Sequence, residues 1–133
     1  MASVQKNIPI AAPASEVWEA IADFYRVHER VAPGFLTDLV AEDGARTVTF
    51  SNGSVAREIL VDTDAARRRL AYTIPSERMT AHMATVQVFE DGADRSRVVW
   101  TTDLMPDALA DYVDGQMALA VPIMQRTLGR PGS

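Results

Sequence analysis

What this chain can fold into is constrained most by what stands at its two ends. A charged, Trp-bearing helix follows the first strand, in Pro13-Ala-Ser-Glu-Val-Trp-Glu-Ala-Ile21. A long helical pattern closes the chain from Asp107 to about Leu128. Between them lie roughly 70 residues of short strands broken by Asp-Gly and Asn-Gly turns. Those dipeptides tolerate positive φ and link antiparallel neighbours. A meander covered by one long helix encloses a space, so the pattern predicts a container for a small apolar molecule.

The strands read as follows. Val4 to Ile10 alternates weakly. Thr37 to Ala41 runs into Glu42-Asp43-Gly44, and Arg46 to Phe50 runs into Ser51-Asn52-Gly53-Ser54. Val55 to Val61, Arg69 to Ile74, Ala81 to Phe89 and Arg97 to Leu104 complete the set. Pro13 suits the first turn of a helix, with Val17, Trp18, Ile21 and Ala22 as its apolar stripe. Phe24 to Val31 predicts a second short helix, ended by Pro33-Gly34. In the closing helix Val113, Met117, Ala120 or Val121, Met124 and Leu128 form the face that lies on the sheet. Pro122 predicts a kink. Residues 129–133 read as a stop followed by a frayed tail. No repeat or linker is visible, so a single domain over 1–133 with a core from 3 to 128 is expected.

Composition removes several functions. The 18 acidic and 13 basic side chains leave a net charge of −5, which disfavours nucleic acid and anionic membrane as partners. Cysteine is absent, so disulfides, thiolate nucleophiles and Cys-held metals are excluded. No signal peptide is visible and no apolar run reaches the ~20 residues of a membrane span. A cytoplasmic location, as monomer or homodimer, is the default expectation. His28 and His82 lack flanking ligand spacing, so no metal is expected, nor any cofactor.

Several segments in this order resemble the START-like, or SRPBCC, superfamily, and within it the polyketide cyclase/dehydrase-type proteins. The carriers are Ile10-Ala-Ala-Pro-Ala-Ser-Glu-Val-Trp18, Asn52-Gly-Ser-Val-Ala-Arg-Glu58, Asp64-Ala-Ala-Arg-Arg-Arg-Leu-Ala-Tyr72, and Val99-Trp100 leading to Pro106. The resemblance implies an α+β helix-grip fold: an antiparallel sheet wrapped around a long C-terminal helix, with two short helices after strand 1. It implies binding of a small hydrophobic or polycyclic molecule, polyketide-like or lipid-like. Two rivals stand beside binding: an aromatase/cyclase-dehydratase, and a protein-interaction module whose cavity is filled by Trp100 and methionines. Many relatives carry Trp-x-Pro after the second short helix. Here the segment is Arg30-Val-Ala-Pro33, with no Trp before the Pro.

In the resembling families a carboxylate at the position of Glu58 points into the cavity. The residues themselves leave two registers open. A two-residue Asn52-Gly53 loop pairs Thr47 with Glu58 and puts Phe50, Val48, Val55 and Arg57 on one face. A three-residue or bulged loop gathers Phe50, Val48, Ala56, Glu58 and Leu60 instead. The resemblance favours the second. Strand parity then adds Tyr72 and Ile74, His82, and Trp100, while the helix stripe adds Met117 and Val121. His28 is expected near the cavity mouth. Glu58, Tyr72 and His82 are the candidates for proton transfer; Phe50, Ile74, Trp100, Met117, Val121 and His28 are the candidates for ligand contact. Met79, Met83, Met105, Met117 and Met124 suit an adaptable wall.

Overall fold

The computed structural model describes residues 1–130. Strand β1 (Ala2–Ile10) leads into α1 (Ala14–Ala22), a 3-10 turn (Phe24–Arg26) and the one-turn α2 (Val27–Arg30). Six strands follow: β2 (Leu36–Glu42), β3 (Ala45–Phe50), β4 (Val55–Asp64), β5 (Arg69–Thr73), β6 (Ala81–Glu90) and β7 (Ser96–Met105). A short 3-10 turn (Asp107–Leu109) then opens α3 (Ala110–Leu128). The seven strands form one antiparallel sheet in the order β1-β7-β6-β5-β4-β3-β2. This is the helix-grip arrangement. Every expected strand is present; the largest displacement is at β4, which continues past Val61 to Asp64.

The β3–β4 turn decides which side chains meet the interior. The Phe50 N–H donates to the Ser54 carbonyl at 2.8 Å, and the Gly53 N–H donates to the Phe50 carbonyl at 2.9 Å. Three residues, Ser51 to Gly53, therefore form the loop, and Gly53 holds φ +87°. A turn ending in a left-handed glycine is the usual three-residue hairpin. Its consequence is the pairing of Val48 with Ala56 and of Arg46 with Glu58. A two-residue loop would have slipped the register by one and turned Glu58 out to solvent.

α1 buries Ala14, Val17, Ala20 and Ile21, and Trp18 packs half-buried against the same core. That core includes Ile8, Ile10, Val48, Leu70, Ala84, Val88 and Val98 from the sheet. From α3 the same core takes Ala120, Met124 and Leu128. Of the two candidates at one turn of the stripe, Ala120 is the buried one, at 1% exposure. α3 runs through Gly115 and Pro122 as one helix, although Pro122 has no N–H to return to the preceding turn.

The expected frayed tail is corrected at its first two residues. The Gly129 N–H caps Gln125 at 3.1 Å and the Arg130 N–H donates to the Ala11 carbonyl at 3.0 Å. The Arg130 guanidinium pairs with Glu16 at 2.8 Å. The rest of that tail, 131–133, lies outside the described residues. Arg30 pairs with Asp23 at 3.0 Å and Glu19 at 3.7 Å, while Val31, which stands two residues before Pro33, is buried.

Candidate functional site

Sheet and α3 enclose a cavity of about 520 Å³, within the range that takes a drug-sized molecule. Its rim lies between the β3–β4 turn, the β5–β6 connection and the start of α3. Asn52 donates from its side-chain amide to the Tyr112 hydroxyl there, at 3.2 Å. The wall is mainly apolar. Met79, Met117 and Met124 contribute to it, whereas Met83 and Met105 do not.

The polar part of the wall is built on adjacent strands. Glu58 (β4) faces Arg46 (β3) directly across the ladder. Arg46 Nε donates to Glu58 Oε1 at 2.7 Å, and both side chains are buried. Arg46 Nη1 donates to the Phe24 carbonyl at 2.8 Å. The guanidinium also lies over two rings, 4.1 Å from the Phe24 centroid and 5.3 Å from that of Tyr72. Carboxylate, carbonyl and aromatic faces together replace the water that Arg46 has lost. Burial pushes the Glu58 carboxyl above its ordinary value, against the pull of Arg46. Such a carboxyl sits closer to a protonation change near neutrality than an exposed one does.

Tyr72 (β5) lies next to this pair. Burial first, and the negative charge of Glu58 second, raise its phenol far above the ordinary range, so it stays protonated. The Trp100 indole Nε1 is buried without a well-formed hydrogen bond, and the Tyr72 hydroxyl is the acceptor beside it. His82 (β6) lies with its ring 6.2 Å from that of Tyr72. Its Nδ1 accepts the Ile74 backbone N–H at 3.1 Å. An accepting Nδ1 carries no proton, so the neutral ring is the Nε2–H tautomer. Burial also holds its pKa below the ordinary 6.5.

Seven of the residues singled out from sequence come together on this wall: Phe50, Glu58, Tyr72, Ile74, His82, Trp100 and Met117. Two do not, and the expectations for them are corrected. Val121 is one residue round α3 from Ala120; it packs half-buried beside the core and is not part of the cavity wall. His28 sits on the one-turn α2, where Val27 and Val31 are the residues facing the cavity. Its side chain is half-buried, with Nδ1 enclosed and Nε2 3.3 Å from Glu29. Arg46 is the important residue that was missed. Its signal was parity: it stands two and four residues before Val48 and Phe50, which were placed inward.

The neutral state of His82 has a measurable pH signature. Its folded pKa is lowered, so the stability it contributes is present above about 6.5 and is lost as pH falls through the lower folded value. Glu58 acts with the opposite sign: its contribution is fully present below about 4.5 and is lost as pH rises through the raised value. In ¹⁵N-edited spectra at pH 6.5, His82 is expected to be neutral and protonated on Nε2. A protonated Nδ1 would contradict the geometry.

A family model described as polyketide cyclase/dehydrase and lipid transport matches residues 1–130. No curated protein matches the chain in sequence. Among solved structures, an uncharacterised protein from Bacillus thuringiensis is similar at TM-score 0.84 and 19% identity, covering 96% of this chain and 98% of that one. Norcoclaurine synthase from Thalictrum flavum, in complex with a transition-state analogue, is similar at TM-score 0.73 and 18% identity, covering 96% and 93%. The di-domain aromatase/cyclase BexL of the BE-7585A biosynthetic pathway is similar at TM-score 0.81 and 15% identity. That match takes in 96% of this chain and 46% of BexL. Identities this low show a common fold. Among the described residues, no cluster of side chains suits a metal ion, and no helix is long and apolar enough to cross a membrane.

Proposed function

Since the chain belongs to the polyketide cyclase/dehydrase and lipid transport family, we propose that it binds a small hydrophobic or polycyclic molecule between its sheet and α3. The carrying observation is the open cavity of about 520 Å³ with a mainly apolar wall that includes the buried Arg46 and Glu58. Apolar surface would supply the affinity and the few polar groups the orientation. The open space also weighs against a pure interaction module, which would have its interior filled by Trp100 and the methionines. We take the chain to be a single binding domain for a small-molecule ligand.

A second reading is favoured by one observation, the buried Arg46–Glu58 pair beside Tyr72. In that reading the chain folds a poly-β-ketone and Glu58 moves protons during aldol closure and dehydration. Native mass spectrometry of the purified protein tests the binding reading, with a retained small molecule as the expected result. Glu58→Gln separates the two readings. The amide still accepts from Arg46 Nε, so folding and ligand retention are expected to survive with affinity changed only modestly. Loss of turnover on a poly-β-ketone surrogate, with binding intact, would establish the cyclase instead.

A further inference from the structure

The hydrogen-bond state of His82 carries a statement about the ligand. His82 lines the cavity, yet its lone-pair nitrogen is spent on the Ile74 backbone N–H at 3.1 Å. What the neutral ring has left for a ligand is a donor, Nε2–H. No described residue accepts from it. The Tyr72 ring is its neighbour, with the two ring centroids 6.2 Å apart and the planes tilted by 39°. Tyr72 also lines the cavity, and its hydroxyl, an acceptor for the Trp100 indole, keeps its own proton. Neither group is a free base, and each is a neutral donor partly shielded from water, where an oxygen acceptor gains more from a hydrogen bond than it does in solvent.

We infer that His82 Nε2–H and the Tyr72 hydroxyl form a two-donor clamp for an oxygen acceptor, so that the preferred ligand is a carbonyl-bearing ring system rather than a plain hydrocarbon or lipid chain. The inference rests on the cavity-binding reading and narrows it. It assigns His82 a positioning role: it orients the ligand through Nε2 and does not take a proton from it. A clamp of neutral donors also favours negative charge that develops on the same oxygen, as in an enolate. Acidic ligands gain nothing from His82 beyond a hydrogen bond, since the ring brings no positive charge.

A matched pair of probes tests this: fluorene and 9-fluorenone, tricycles of nearly equal shape that differ by one carbonyl. Wild type is expected to bind the ketone roughly 3- to 10-fold more tightly, the usual worth of a net hydrogen bond. His82→Asn keeps an acceptor where Nδ1 was and lacks the distal donor. It should weaken binding of the ketone more than that of fluorene, so that the ketone preference falls. His82→Gln keeps a donor near the Nε2 position and should preserve part of the preference. His82→Asn combined with Tyr72→Phe should bring the two affinities together. Equal binding of both probes by wild type overturns the clamp while leaving the cavity reading standing. So does an unchanged preference in the combined variant. Failure of both probes to bind up to their solubility limits overturns the cavity reading and the clamp with it.

Discussion

Arg46→Leu is expected to destabilise the protein by about 3–5 kcal/mol, the usual result of removing one partner from a buried ion pair. The substitution leaves the Glu58 carboxylate without its 2.7 Å partner and the Phe24 carbonyl without its 2.8 Å donor. Urea unfolding at pH 8 against pH 5 gives a second signature. The folded pKa of Glu58 is already raised by burial, and removing the guanidinium takes away the main influence that lowers it. Stability linked to a raised carboxyl is present at low pH and lost as pH rises. The variant should therefore be worst at pH 8 and recover as pH is lowered and Glu58 takes a proton. Arg46→Leu combined with Glu58→Leu should restore much of the loss, because two apolar residues need no solvation. A single variant within about 1 kcal/mol of wild type at pH 8 would show that the pair does not hold the sheet as its geometry indicates.

Met117→Trp is expected to remove ligand binding while keeping the fold. Met117 is buried on α3 and borders the cavity. An indole there would project into the open space. Excluding ~100 Å² of ligand apolar surface at ~25 cal/mol per Å² corresponds to about 2.5 kcal/mol, or roughly 70-fold in affinity. The stability change should stay within about 1.5 kcal/mol, because the added volume has somewhere to go. Native mass spectra and thermal melts read the two effects separately. A variant that retains its ligand at wild-type occupancy would place the ligand elsewhere on the molecule. A variant that fails to fold would show that the space beside Met117 is closed.

These outcomes depend on features of unequal visibility in the chain. The three-residue Ser51–Gly53 loop illustrates the difficulty. Asn52-Gly53 is compatible with either a two- or a three-residue turn, and a slip of one residue exchanges the two faces of β4. Local sequence alone leaves Arg57 and Glu58 as equal candidates for the interior. The structure resolves them by enclosing Val48 and Phe50 on the same face as Glu58 and leaving Arg57 outside, paired with Glu42 at 2.6 Å. Val121 shows the matching uncertainty in a helix. Ala120 and Val121 both fit the stripe by spacing, and only the packing angle of α3 on the sheet selects Ala120. Arg46 was missed because a charged residue in a strand is ordinarily a surface residue. Its burial is acceptable only through Glu58, the Phe24 carbonyl and two aromatic rings, and three of those four partners come from elements other than β3 or its immediate neighbour β4.

By itself the sequence determined the order of elements, the antiparallel meander, the covering helix and the apolar faces of each, because these follow from periodicity and turn chemistry within a few residues. It also carried the family and most of the cavity wall, through strand parity. Only the tertiary structure decided the Arg46–Glu58 pair, the tautomer of His82 and the exclusion of His28 and Val121. Each depends on a contact between residues distant in the chain or on the rotation of one element against another. A hydrogen bond from Ile74 to His82 turns an apparent base into a donor, and no local pattern in the sequence records which nitrogen will be occupied.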